Sequence, residues 1–336
     1  MQFKSYNIVS QNELPDDRGI DLTLRPKTLS EFIGQEKLKA NLRVFIRAAK
    51  QRGEVLDHTL FHGGHGRGKT TMAYIIAREM ETEIQVTSGP ALEKVGDLAA
   101  ILTNLKPGGV LFIDELHRLN RAIEEILYPA MEEYALDLVV GKGPSAKVLR
   151  LDLPKFTLIG ATTRPSLLSP PLRDRFGLTH QLDFYQVSDI KKIIQRSAGI
   201  LGIEIQEEAA DEIAKCSRYT PRVANRLLKR VRDFAQVEKE KVITPKIAVQ
   251  SLEMLEIDPM GLNSIDRRIL EALIEKFSGG PVGIKTLAVS VGEDLDTLEE
   301  IYEPYLVQIG FLNRTSRGRI ATDLAYRHLG RKKGIV

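Results

Sequence analysis

"FHGGHGRGKTTMAYII", from Phe61 to Ile76, is the stretch on which the reading of the whole chain turns. Its skeleton is G-x-x-x-x-G-K-T, carried by Gly63, Gly68, Lys69 and Thr70. A phosphate-cradling loop needs small residues because its backbone N–H groups converge on phosphate oxygens, where a Cβ would crowd the curve. Gly63, Gly64, Gly66 and Gly68 meet that need. Lys69 is placed to reach the β- and γ-phosphates and Thr70 to supply a magnesium ligand, while the helix that follows adds its positive N-terminal end. His65 and Arg67 occupy positions the motif leaves free. Their side chains can point outward, and an outward Arg67 would add positive charge near bound phosphate.

Outward from the loop, short β-type runs alternate with helical patterns from Leu60 to Thr163, as in parallel α/β architectures. "HTLFHG", "EIQVTS", "GVLFIDE" and "FTLIGATT" read as strands; "TTMAYIIAREM", "GDLAAILTNL" and "RAIEEILYPAMEEY" read as helices. The glycine loop therefore sits between a strand and a helix, a context that a chance glycine turn has no reason to occupy. "LDLVVGKGPSAKVLRLDLPKF" interrupts the alternation with a hairpin pattern over about 136–153. Its apolar residues Leu136, Leu138, Val140, Val148, Leu149 and Leu151 are either half-buried faces or a surface offered to a partner.

After "HQLDFYQVSD" the β-type runs cease, and residues from about Ser188 to Met254 read as amphipathic helices. Thr220 and Pro221 are set to open one of them as cap and first-turn proline. "EIDPMGLN" marks a boundary, beyond which three helical patterns precede the hairpin-like "FLNRTSRGRIAT", the layout of a winged helix-turn-helix. The expected domains are 1–185, an α/β nucleotide-binding core with the hairpin inserted; 186–256, a small helical domain; and 257–336, a winged helix.

With 43% apolar and 28% charged residues, the 336-residue chain has the balance of an ordinary globular protein and the length for several cores. The N-terminus lacks the apolar core of a signal peptide and no run is long enough to span a membrane, so a cytoplasmic location without membrane attachment is expected. The single cysteine, Cys216, excludes an intramolecular disulfide and reads as a small buried residue. A net charge of +3 is too slight to announce a nucleic-acid binder, yet Arg314, Arg317, Arg319, Arg327, Arg331, Lys332 and Lys333 crowd the C-terminal end against Asp323 alone. That end is a candidate polyanion contact.

The second half of a hydrolytic site is "VLFIDELH". A buried strand ending in Asp114 and Glu115 places one carboxylate near magnesium and the next where it can polarise an attacking water. "IGATTR" ends a further strand with Thr162, a polar group able to hold that water or sense the γ-phosphate. In "PPLRDRFG", Arg173 and Arg175 flank Asp174 in a turn away from the phosphate loop. In a ring of subunits such an arginine can enter the neighbour's site, a contribution of about 10³-fold or more in rate.

With these elements in order the chain resembles the AAA+ ATPases and, more narrowly, the RuvB family of bacterial motors that drive branch migration of Holliday junctions. The resemblance runs from "LRPKTLSEFIGQEKLKANL" onward and rests on "RGEVLDH", "TSGPALEK", "VLFIDELHRLN", "IEEILYPAMEEY", "FTLIGATTR", "PLRDRFG", "TPRVANRLLKRVRDFA" and "EPYLVQIGFLNRTSRGR". It implies ATP and Mg2+ as cofactors, with Leu24 and Arg25 near the adenine. Gly66, Gly68, Lys69, Thr70 and Thr71 would hold the phosphates and metal, and Glu132, Glu133, Tyr134 and Tyr185 would line the nucleotide pocket. It further implies Arg175 as a finger acting in the neighbouring subunit and Arg222 as a sensor in the second domain. Arg314 and Arg319 would lie on DNA phosphates, and the hairpin tip, Gly141 to Ser145, on a RuvA-type junction-binding partner. The assembly implied is a homo-hexamer on duplex DNA, with a RuvC-type resolvase in the wider complex. Two departures stand out: the family pattern Gly-Pro-Pro-Gly-Leu-Gly is here Gly-Gly-His-Gly-Arg-Gly, and its glycine before "TPR" is here Tyr219. Two other readings are a clamp-loader-like AAA+ ATPase, which leaves the hairpin and wing unexplained, and a nucleotide-binding DNA adaptor that no longer hydrolyses ATP.

Overall fold

The computed structural model describes residues 8–10, 23–140 and 147–332. It divides into two compact units, Arg25–Phe184 and a second formed by Tyr185–Val336 with Met1–Leu24.

In the first unit, helix α1 (Glu36–Arg52) precedes strand β1 (Thr59–His62), which leads through the glycine loop into α2 (Lys69–Glu79). Then follow β2 (Ile84–Ser88), α3 (Val95–Thr103), β3 (Val110–Asp114), α4 (Arg121–Glu132), β4 (Ala135–Val140), β5 (Lys147–Asp152), β6 (Thr157–Thr162), α5 (Pro170–Asp174) and β7 (Leu178–Gln181). Five of the strands form one parallel sheet in the order β2-β3-β6-β1-β7. The central strands read as near-continuous apolar runs because helices cover both faces. All six residues of β6 are buried, as are the first four of β3, whereas the edge strands β2 and β7 are largely open. Parallel pairing puts the ends of β1, β3 and β6 on one edge of the sheet, so the glycine loop, Asp114 and Thr162 all emerge there.

Strands β4 and β5 pair antiparallel outside that sheet, as the hairpin pattern predicts. Its base is core: Leu136 is fully buried and Leu151 packs against the same cluster. Further out, Val148 and Leu149 are 67% and 49% exposed. Consecutive strand residues face opposite ways, so β5 presents an exposed apolar side chain to each side there. The tip residues Gly141 to Ser145 lie outside the described residues.

The second unit opens with α6 (Val187–Ile200), α7 (Glu207–Lys215), α8 (Pro221–Val237) and α9 (Pro245–Met254). The expected end of β structure here needs correction: the two-residue strands β8 (Glu204–Ile205) and β9 (Val242–Ile243) pair in parallel, too short to show in a sequence pattern. Pro221 does open α8, but Thr220 has no capping bond; its hydroxyl donates to the Ser217 carbonyl at 3.3 Å instead. Helices α10 (Ser264–Glu271) and α11 (Ile284–Val291) and a helical run ending in Glu303–Gln308 then enclose a separate core with the wing strands β10 (Leu312–Thr315) and β11 (Gly318–Ala321). A further helix, Asp323–His328, follows the wing.

Candidate active site

The glycine loop takes its shape from three left-handed residues, Gly63 (φ 137°), Gly66 (φ 71°) and Gly68 (φ 101°), a region where a side chain would be strained. Lys69 is the first residue of α2, and its ammonium donates back to the carbonyls of Gly63 at 2.8 Å and Gly64 at 2.9 Å. The cation is thereby held over the loop. One residue on, the Thr70 hydroxyl donates to a carboxylate oxygen of Asp114 at 3.3 Å. Two hard oxygen donors thus converge beside a cationic loop, a donor set that suits Mg2+ shared with phosphate oxygens.

Glu115 follows in a left-handed conformation (φ 48°), where the chain leaves β3 for the short turn Leu116–Arg118. Its carboxylate is gripped by Arg118 at 3.0 Å, a partly exposed pair that aims the group more than it stabilises the fold. Thr162, at the end of β6, is 1% exposed. Its oxygen accepts the Arg164 backbone N–H at 3.0 Å and lies 3.0 Å from Nδ1 of His117. Burial holds the His117 imidazole below its ordinary pKa, against the opposing pull of Glu115. In the neutral tautomer with Nδ1 unprotonated, the ring accepts a hydrogen bond from the Thr162 hydroxyl. Sequence reasoning passed over His117; the signal available was its position three residues after Asp114, on the turn that leaves the catalytic edge.

Arg67 does not take the outward course open to it. It is 8% exposed, donates from Nη1 to the Leu182 carbonyl at 3.0 Å, and stacks 3.7 Å from the centroid of the Phe184 ring. The partners come from a segment more than a hundred residues later, which no local pattern could indicate. Arg25 likewise stacks on a ring, 4.3 Å from the centroid of Tyr74 on α2.

A second correction concerns Glu132, Glu133 and Tyr134. Helix α4 leaves the loop edge and runs back over twelve residues, about 18 Å, so its end reaches the opposite edge of the sheet. There His58, just before β1, bonds the Met131 carbonyl at 2.9 Å, and Tyr134 packs on His58 and Phe156. These three residues therefore do not line the pocket of their own phosphate loop. Glu132 instead meets Arg175 at 3.2 Å, Glu133 pairs with Arg150, and Arg175 also stacks 4.3 Å from the Tyr128 ring. The structure thus assembles Arg175 and the end of α4 into one patch.

In the second unit Leu24 is buried, its carbonyl accepting from Arg196 at 2.8 Å. Tyr185 is buried and donates its N–H to the Tyr219 carbonyl at 3.1 Å. Arg222 sits in the first turn of α8, partly exposed. On the wing, Arg314 and Arg319 face each other across the strand pair. Like charges directly opposite are unfavourable, and the buried Glu303 lies between them, 3.1 Å from Arg314 and 2.9 Å from Arg319. Arg319 is only 12% exposed, whereas Arg314 is 60% exposed. Among the described residues no helix is long and apolar enough to cross a membrane.

Residues 24–182 match the family model for the Holliday junction DNA helicase RuvB P-loop domain. Residues 185–258 match the RuvB AAA lid domain, and 259–330 the RuvB C-terminal winged helix domain. Among solved structures, the Thermotoga maritima RuvB Holliday junction branch migration motor is 54% identical, covering 92% of this chain and 99% of its own, with a TM-score of 0.85. Two point mutants of that protein match with the same identity and coverage, at TM-scores of 0.86 and 0.84. With a phosphate loop, paired acids, a helical lid and a winged helix in this order, and with those matches over nearly its whole length, the chain belongs to the RuvB family of Holliday junction DNA helicases.

Proposed function

We propose that the chain is the subunit of a homo-hexameric ring that hydrolyses ATP and draws the duplex arms of a four-way junction through itself, in the cytoplasm. The observation that carries this reading is the convergence of Thr70 and Asp114 beside the Lys69 loop, with Glu115 next in sequence. Lys69 neutralises phosphate charge, and Gly66, Gly68 and Thr71 help to seat the phosphates. Thr70 and Asp114 would hold Mg2+, which when bound offsets charge on the β- and γ-phosphate oxygens. Glu115 orients the attacking water and takes its proton, while the Thr162–His117 pair reports the state of the γ-phosphate. The persistence of Glu115, aimed by Arg118, favours a hydrolase over a drifted adaptor.

Arg175 acts in a neighbouring subunit. The support is its place with Glu132 on the sheet edge opposite its own loop, where it has nothing to do for the nucleotide that loop would hold. Glu132, Glu133 and Tyr134 belong to the same trans-acting face. Leu24, Arg25, Tyr185 and Arg222 complete the nucleotide contacts, with Arg222 coupling nucleotide state to lid angle. The uncovered Val148 and Leu149 favour hairpin docking to a RuvA-type protein, with a RuvC-type resolvase joining the larger assembly. Arg314 contacts duplex phosphates without reading bases, which suits a motor that steps along any sequence. Arg319 joins it once Glu303 is shared or displaced.

The test is strand separation of a synthetic Holliday junction with ATP, with and without a RuvA-type protein, beside multiple-turnover ATPase rates. Glu115→Gln should bind ATP and stop both. A wild-type rate no faster than that of the variant would refute the motor reading.

A further inference from the structure

Gly64 differs from its neighbours in the loop. Gly63, Gly66 and Gly68 have left-handed φ, but Gly64 does not, so its backbone gives no reason for a glycine. Space gives one. A Cβ on Gly64 would lie 2.7 Å from Nη2 of Arg67 and 2.9 Å from both Cζ and Nε. The guanidinium occupies the place that any other residue at 64 would fill.

Arg67 in turn is anchored on the far side. Its Nη1 donates to the Leu182 carbonyl at 3.0 Å, and its plane lies on Phe184. The same Leu182 donates its N–H to the His62 carbonyl at 2.8 Å, and its own carbonyl stands where a Cβ on Gly63 would be, at 2.5 Å. The entry limb of the loop, His62 to Gly64, is thus met by Leu182 at His62 and Gly63 and by the Arg67 guanidinium at Gly64. A loop with this many glycines would otherwise be free to sample many backbone states.

We propose that Arg67 is a positioning residue of the phosphate loop, clamped by Leu182 and Phe184 against Gly64 so that the loop is held in its phosphate-accepting shape before nucleotide arrives. It acts through the backbone of residues 62 to 66 and touches no reacting atom. Holding a loop ready raises apparent affinity by the fraction of competent molecules: if one loop in ten is competent without the clamp, the apparent Kd rises about tenfold. Chemistry at saturation is left alone, because bound phosphate orders the loop in either case.

The proposal rests on the nucleotide reading of this loop, which Lys69→Ala tests separately by abolishing binding of Mg–ATP to the full-length chain. With a fluorescent ATP analogue and Mg2+, Arg67→Ala should raise Kd about tenfold while kcat at saturating ATP stays within about twofold. Gly64→Ala should push the guanidinium out and give the same defect, and the double variant should be no worse than either single one. Phe184→Tyr, which keeps the ring, should bind as the parent does; Phe184→Leu, which keeps the Arg67 charge but removes its platform, should bind as Arg67→Ala. Unchanged Kd in Arg67→Ala, additive losses in the double variant, or a parental Kd in Phe184→Leu would overturn the clamp. The last result would assign Arg67 to direct phosphate contact. If Arg67→Ala fails to fold, the Phe184 pair and Gly64→Ala decide the matter alone.

Discussion

His58 shows how much one side chain can commit to a single protonation state. Its ring bonds the Met131 carbonyl through Nε2 at 2.9 Å and accepts the Leu158 N–H on Nδ1 at 2.9 Å. Only the neutral Nε2–H tautomer satisfies both, since a second ring proton would face the Leu158 N–H. Burial holds the folded pKa below 6.5, the Met131 bond and Asp57 opposing in part. A depressed folded pKa means that the unfolded chain takes up the proton first. Stability is therefore intact above about pH 6.5 and lost as pH falls through the folded value. Urea unfolding at pH 7.5 and 5.5 should show that loss, and His58→Phe should flatten the acid limb while lowering stability at pH 7.5. An acid limb as steep as the parent's would move the effect to His62, His117 or His180, which burial also shifts downward. Tyr219 illustrates the same scale differently: at φ 55° it stands in a left-handed position that suits the glycine of the family pattern, and its ring packs 6.2 Å from Tyr305.

Among the elements, the wing separates two arginines that look equivalent in "NRTSRGR". Arg314 is open to solvent, so Arg314→Ala should lower the slope of log K against log salt for duplex binding by about one, equally across sequences. Arg319 is held by Glu303, which is 2% exposed. Arg319→Ala should mainly lower the melting temperature, because it removes the closest partner of a buried carboxylate. Equal salt slopes for parent and Arg314→Ala would remove this strand from the DNA contact. In helix α4 the direction of the chain is decisive. The helix delivers Glu132 to Arg175, and doping Arg175→Ala subunits into parental complexes should depress ATPase more than in proportion to their share. Strictly proportional loss would argue against action on a neighbour.

Within the second unit the lid and the winged helix are joined by a buried ion pair. Arg218 and Asp266 are both fully buried and hydrogen bonded, with Arg218 also 4.9 Å from the centroid of Tyr305. Burial pushes the Asp266 carboxyl up, and Arg218 pulls it back. Arg218→Met should destabilise this unit by about 3–5 kcal/mol, because it strands a buried carboxylate. Arg218→Met with Asp266→Leu should recover much of that, less about 1 kcal/mol for the lost capping bond in which the Asn263 N–H donates to the Asp266 carboxylate at 2.9 Å. Calorimetry of the full chain would decide, and a double variant as unstable as the single would refute the account. The consequence for a motor is that the loop before Arg222 and the helix bearing Asp266 move together.

The residues Gly63, Lys69, Thr70, Asp114, Glu115 and Thr162, the order of strands and helices around them, and the three-part layout of the chain were determined by the sequence itself. Each rests on local spacing: a loop after a strand, acids at a strand end, a wing after helices. Tertiary structure alone decided where Arg67 points, which sheet edge receives Glu132 to Tyr134, which wing arginine is exposed, and that His117 meets Thr162. Those outcomes depend on partners far away in the chain, such as Leu182 and Phe184 for Arg67. A charged side chain of ambiguous direction goes wherever a distant carbonyl, ring or carboxylate can repay its desolvation, and periodicity carries no record of that choice.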